Sequence, residues 1–200
     1  MPYTYRTSAF GQKLTLMQAP INQSTHPPLT TPMNLKTRGY LSRDKQAVDQ
    51  VVQDAWTEFA AAMPGWNDLA PRLGALTANA DDIEIVVAEL NDRIVGTVGY
   101  VAPSKPKADF FAPEWPIIRF MSVVPKARRY GIGQALLDEC LRRARRDNAK
   151  LIALHTTLVM ESAQHLYRRA GFEIARHLPD MFGVPYVLMT KPLDPQGTKR

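Results

Sequence analysis

The chain has 200 residues, 45% of them hydrophobic, and 25 Lys and Arg against 19 Asp and Glu give a formal charge of +6. That length and apolar content suffice for one globular domain with an adequate core, and no apolar run approaches the ~20 residues needed to cross a bilayer, so no membrane partner is expected. A single cysteine, Cys140, excludes an internal disulfide framework; nothing requires an oxidising compartment, and a cytoplasmic location is expected.

Residues 1–33 are rich in Pro, Thr, Ser and Gln, with no acidic residue before Asp44. They read as a mobile N-terminal extension. The scarcity of acids also fits an organelle transit peptide, against which only Arg6 and Lys13 are basic and no arginine-rich amphipathic pattern forms. A domain over 34–192 follows, then a tail over 193–200. Within the domain, NLKTRGYLS reads as a first strand, and Ser42 as the N-cap of a helix running to about Met63. Ala47, Val48, Val51, Val52, Ala55, Trp56 and Phe59 give that helix one apolar face. Pro64-Gly65 breaks it, and a shorter helix is expected from Asn67 to Ala78. Strands at 82–89 and 93–102 turn at Asn91-Asp92. The proline-rich stretch Ala102–Trp115 is long for a strand connection; with its Phe110-Phe111 pair it either serves a binding site or covers a core edge.

Residues 117–137, IIRFMSVVPKARRYGIGQALL, read as an apolar strand, a basic loop and the first turns of an amphipathic helix. Gly131 and Gly133 allow close backbone approach, and the first amides of a helix lack intrahelical partners, so this is a pyrophosphate cradle to which Arg128 and Arg129 add charge. It is not a Walker loop, since no Lys-Ser/Thr pair follows the glycines, nor a dinucleotide fingerprint, whose third glycine would stand at Leu136. Downstream, LIALHTTLVMESAQHLYRRAGFEIA over 151–175 supplies strand, helix and strand. Ala163, Leu166, Tyr167 and Ala170 fall at helical spacing, and Gly171 suits a left-handed C-terminal cap. A last strand is expected over Pro185–Lys191, joined through Met181-Phe182-Gly183-Val184-Pro185.

The hexapeptide Arg128-Arg129-Tyr130-Gly131-Ile132-Gly133 together with the later A..LY...GF pattern resembles the GCN5-related N-acetyltransferase (GNAT) superfamily over roughly residues 34–192. The resemblance implies an α/β (α+β) acyl-CoA N-acyltransferase fold, a mixed and mostly antiparallel sheet of about six to seven strands flanked by about four helices. It implies acetyl-CoA as co-substrate, held by the main chain of Met121, Ser122 and Val123 and by Arg128, Arg129, Tyr130, Gly131, Ile132, Gly133 and Gln134. It makes Tyr167 the general acid and places Met181 and Phe182 in the region that lines the acceptor cleft. Two positions depart from the family pattern: Ile117 stands where histone-modifying branches carry a glutamate base, and Met160 where an asparagine contacts the pantetheine arm. Glu114, Glu161, His155 or a water chain remain as bases. Arg119, read as sharing a face with Met121, needs a counter-charge, either an internal carboxylate or an acidic acceptor.

The expected partner is a small-molecule amine, with a protein N-terminus or lysine as the alternative acceptor; a homodimer is left open. A non-catalytic acyl-CoA-binding module is the competing class. Cys140 lies at core spacing and reads as an inert buried thiol. Eight basic residues against three acidic ones between Lys126 and Lys150 include Arg142, Arg143, Arg145 and Arg146, read as a solvated helix face or as partners of a CoA phosphate. No stacking aromatics interleave them, so no nucleic acid is expected. His155 and His165 have no companion cluster, so no metal is expected.

Overall fold

A computed structural model describes residues 34–193; the expected extension 1–33 and all but the first residue of the tail lie outside them. In chain order the elements are β1 (Leu35–Gly39), α1 (Lys45–Thr57), α2 (Trp66–Leu69), α3 (Ala75–Ala78), β2 (Glu84–Leu90), β3 (Arg93–Val101), β4 (Ile117–Val123), α4 (Ile132–Arg146), β5 (Leu151–Thr157), α5 (Glu161–Arg169), β6 (Glu173–Met181) and β7 (Val184–Pro192). The strands form one seven-stranded sheet in the order β1-β2-β3-β4-β5-β7-β6. Every neighbouring pair is antiparallel except β4 with β5, which α4 joins as a crossover helix. The mixed, mostly antiparallel sheet matches the expected fold class.

Each face of the sheet has its own core. Val48 and Val52 of α1 and the short helices pack with Ile85, Val87, Val101, Ile117 and Ala153 on one side. Leu136, Leu137, Cys140 and Ala144 of α4 and Tyr167 of α5 pack with Val86, Val98, Tyr100, Ile118 and Leu154 on the other. The alternation of consecutive strand residues between these lists is the period of two that a sheet covered on both faces demands.

Three local expectations change. Ser42 does not cap α1: it lies within a 3-10 turn, Ser42–Asp44, and the Asp44 carboxylate accepts the Leu41 amide at 2.8 Å. The first helix stops at Thr57 rather than Met63, since Met63 precedes Pro64 and is held extended (φ −119°, ψ 99°). The second helix is split into α2 and α3 by a 3-10 turn around Pro71, which has no amide to donate. By contrast Asn91 and Asp92 both take positive φ, as a tight hairpin turn requires, and Gly171 caps α5 at φ +86°.

The basic run on α4 forms an ion network. Arg143, nearly buried, pairs with Glu84 and Glu139; Arg146 pairs with Glu84 and Asp147; and Tyr100 donates to Asp147 at 2.8 Å. These arginines belong to the last turn of α4, roughly 15 to 20 Å along the axis from the glycine turn. Arg143 is the departure from the solvated-face reading, while Arg142 and Arg146 remain exposed on it.

Candidate active site

β4 carries the site because its neighbours change along its length. With β5 it pairs only at Ile117 to Ala153 and Ile118 to Leu154; beyond these the parallel strands part, and the β5-facing amides and carbonyls of β4 lack a strand partner. Midway, the register with β3 slips: Gly99 faces Arg119 and Thr97 faces Ser122, so Val98 alone opposes Phe120 and Met121. This is a β-bulge, with Phe120 at φ +51°, a conformation that a bulky residue adopts only when its surroundings hold it. The expectation that Arg119 shares a face with Met121 fails at this bulge. Phe120 joins the core on the α1 face and Met121 and Val123 the core on the α4 face, while the Arg119 guanidinium lies 5.0 Å from the Phe120 ring.

After β4 the chain makes a 3-10 turn over Pro125–Ala127 and enters α4 through two left-handed residues, Arg129 (φ +70°) and Gly131 (φ +77°). A Cβ on Gly131 would touch nothing within 4 Å, so glycine is needed there for its backbone conformation rather than for space. A Cβ on Gly133 would sit 3.2 Å from Leu166 Cδ2, which seats the start of α4 against α5. No side chain caps α4, leaving the amides of Ile132, Gly133 and Gln134 without intrahelical partners.

These elements enclose a cleft of about 860 Å³. Every expected cofactor residue lines it except Tyr130, whose ring faces solvent. Trp56 of α1, Glu58 and Phe59 just past its end, and Met160, Ser162, Ala163, Leu166 and Arg169 around α5 line its other walls. Trp56 and Phe59 had only a core signature in the sequence; their role follows from where α1 ends. Trp56 Nε1 donates to Ser122 Oγ at 3.0 Å, and that hydroxyl donates to the Phe120 carbonyl at 3.0 Å, which braces the bulge. Arg128 is committed to Glu58 across the cleft, at 2.6 and 2.8 Å, and to the Val123 carbonyl at 3.3 Å. Arg129 and Arg169 are then the cleft cations with no salt bridge among the described residues. Open helix amides and two cations beside an apolar wall of Met121, Ala163 and Leu166 fit a ligand with a diphosphate and a long flexible arm.

Tyr167 does not line the cleft. Its ring packs on Phe172, with centroids 5.9 Å apart, and burial pushes its hydroxyl well above the usual phenol range. Ser162, Ala163, Leu166 and Arg169 are the cleft residues of α5.

Across β4, on the α1 face, lies a second constellation. Arg119 has no carboxylate partner among the described residues, so the expected internal pair is not found; burial lowers its pKa. His155, the first residue of β5 past the last β4 pair, is ringed by Phe110, Phe111 and Tyr186 with centroids 5.4 to 5.8 Å away. Its Nδ1 is enclosed and unpartnered, and burial with the nearby Arg119 charge holds its pKa down to about 4. The loop 102–116 therefore covers a core edge, and Lys107 organises it by donating to the carbonyls of Ala102, Pro113 and Trp115 at 2.6 to 3.2 Å. Glu114 and Glu161, the other base candidates, are exposed and line no part of the cleft.

Met181 and Phe182 also lie outside that cleft. Phe182 and Gly183 form a two-residue turn between β6 and β7, both with positive φ. The turn is clasped to the end of the α1–α2 connection: the Gly65 amide donates to the Phe182 carbonyl at 2.9 Å, and a Cβ on Gly65 would fall 2.6 Å from Phe182 Cα. β7 starts beside the C-terminal end of β5, where Thr157 pairs with Tyr186, so the clasp lies at the end of the sheet where β4 and β5 part.

Among the described residues no group of three or more His, Cys, Asp or Glu could hold a metal, and no helix is long and apolar enough to cross a membrane. No functionally curated protein matches the chain in sequence. Solved structures do. The ribosomal-protein-alanine N-acetyltransferase from Brucella melitensis is 26% identical, with a TM-score of 0.60 over 79% of this chain and 99% of that one. The paia N-acetyltransferase from Thermoplasma acidophilum, in complex with coenzyme A, is 14% identical with a TM-score of 0.62 over 80% and 100%. Salmonella typhimurium yncA, solved with acetyl-CoA, is 19% identical with a TM-score of 0.62 over 82% and 96%. The model of the acetyltransferase (GNAT) family matches residues 48–172, which include β4, the glycine turn and α5. The chain belongs to the GNAT family of acetyl-CoA-dependent acetyltransferases.

Proposed function

We propose that the acceptor of the acetyl group is a small-molecule amine and that transfer is direct, within a ternary complex. The observation that carries this reading is the clasp between Gly65 and Phe182, which ties together the two connections flanking the splayed strands on the α1 face. A small amine fits behind such a bridge, whereas an extended chain needs an open channel.

Acyl transfer needs a neutral attacking nitrogen, a polarised carbonyl and a proton for the departing thiolate. Acetyl-CoA supplies the activated thioester. The main chain over Met121–Val123, which lacks a β5 partner, polarises the carbonyl through an amide and pairs with the arm, and the amides of Ile132, Gly133 and Gln134 with Arg129 take the diphosphate. As the C–N bond forms and the C–S bond breaks, the thiolate takes the Tyr167 proton, for which the buried hydroxyl turns past its cleft-lining neighbours Ala163 and Leu166 when acetyl-CoA is bound; burial favours its neutral, proton-bearing form. The amine gives up its own proton to a base. His155 is neutral at pH 7 but weakly basic, and the exposed glutamates do not line the cleft, so a water chain is the base this site supports best.

A protein N-terminus is the second reading, favoured by the 26% identity to the Brucella melitensis enzyme. Thiol release measured with a panel of small amines and with short peptides that begin with alanine separates the two. Turnover on amines alone supports the first; turnover on peptides alone replaces it with the second.

A further inference from the structure

Burying a cation without a counter-charge, or an imidazole nitrogen without a hydrogen bond, costs stability, and native structures keep such groups where a ligand meets them. Here a half-buried arginine and a buried imidazole nitrogen share one place. Arg119 and His155 are the first residues of β4 and β5 past their last pair, so they stand at the vertex of the splay. By contrast Arg38 has Asp44 and Glu89, Arg143 has Glu84 and Glu139, and Arg128 has Glu58. Among the described residues Arg119 has no carboxylate partner, and its guanidinium lies over the Phe120 ring. Among the described residues His155 Nδ1 is the single buried side-chain polar atom without a partner.

The surroundings are apolar. Phe110, Phe111 and Tyr186 ring His155, and Phe120 continues to Trp56, centroids 6.4 Å apart, at the wall of the cofactor cleft. A carboxylate entering this vertex forms a charge-assisted pair of low solvent exposure, the kind of contact that discriminates strongly. Arg119 and Met121 flank the bulge, two residues apart on the same strand. A small molecule can therefore place its carboxylate at Arg119 and its amine near the carbonyl-polarising main chain.

We infer that the acceptor carries a carboxylate as well as its amine, as an amino acid does, and that Arg119 is the specificity-determining residue that receives it, with His155 donating a ring N–H beside it. This rests on the small-molecule reading above.

The test compares the common L-amino acids and straight-chain ω-amino acids with their decarboxylated amines, on wild type, Arg119→Gln and Arg119→Lys. Two readouts are taken: the melting midpoint of CoA-saturated protein with each compound, and kcat/KM by thiol release. A CoA-induced midpoint shift shows that each variant is folded. At least one acid should raise the wild-type midpoint, do so less in the Lys variant and not in the Gln variant. On turnover, the Gln variant should lose roughly 30-fold more on acids than on the matched amines. Acids that bind without any thiol release would refute the small-molecule acetyltransferase reading and leave the carboxylate site standing. Amines that turn over while no acid binds or reacts would refute the carboxylate site alone, and so would equal losses on acids and amines.

Discussion

The two sides of β4 are built from different materials. Toward α4 and α5 the cleft is mostly main chain: the open edge past Ile118, the bulge at Phe120 and the uncapped amides after Gly131. Toward α1 the site is mostly side chain: Arg119, His155, the phenylalanines of loop 102–116 and the clasp of Gly65 on Phe182. A backbone-built surface binds an invariant ligand and tolerates changes in side chains, so it suits the donor. A side-chain surface changes with each substitution, so it suits the acceptor, which is the part of the reaction that fold does not fix.

That division can be broken experimentally at several points. Tyr167→Phe removes one oxygen and leaves the ring on Phe172; kcat should fall about 100-fold while the CoA-induced melting shift is unchanged. Equal turnover in this variant would assign the proton to another group.

His155 sets the next effect. Its pKa is about 4 in the fold against an ordinary 6.5, so the unfolded chain binds the extra proton first. The stabilisation is fully present above pH 6.5 and is lost as pH falls toward 4, on the order of 3 kcal/mol in all. A melting profile between those limits should flatten in His155→Gln. Glu84, Glu139 and Asp147, held below the usual carboxylate range by hydrogen bonds from Arg146 and Arg142, add losses only at lower pH.

Gly65→Ala forces a Cβ against the Phe182 backbone and should cost about 2 kcal/mol by chemical denaturation. It should also raise the KM for the acceptor and leave that for acetyl-CoA unchanged; a rise in both would mean that the clasp shapes the donor side too. Trp56→Phe loses one hydrogen bond to Ser122 and should cost about 1 kcal/mol.

The same division decides what was legible in the chain. The glycine turn, its helix and the cap at Gly171 are local: each depends on residues within a few positions, and reading them in order sufficed. The hairpin turn at Asn91-Asp92 is local in the same way. The acceptor side is assembled from α1, the 102–116 loop, β4, β5 and the β6–β7 turn, and no period or spacing links those segments. Arg119 shows the difficulty most clearly. Period-two alternation assigns it to the wrong face, because the extra residue at Phe120 is a register slip against β3 that the sequence of β4 alone does not announce. Ser42 failed as a cap for a smaller reason, since Asp44 two residues on offers a charged acceptor to the same turn.

The most direct test of the account is the melting midpoint with and without millimolar acetyl-CoA, for wild type and for a variant carrying Gly131→Glu and Gly133→Glu. Binding only to the folded state at 100 times Kd adds about 2.7 kcal/mol, a shift of several degrees. The account predicts that shift in wild type and its loss in a folded double variant, where carboxylates meet the diphosphate. A shift of the same size in both proteins would contradict it and move the donor site elsewhere on the molecule.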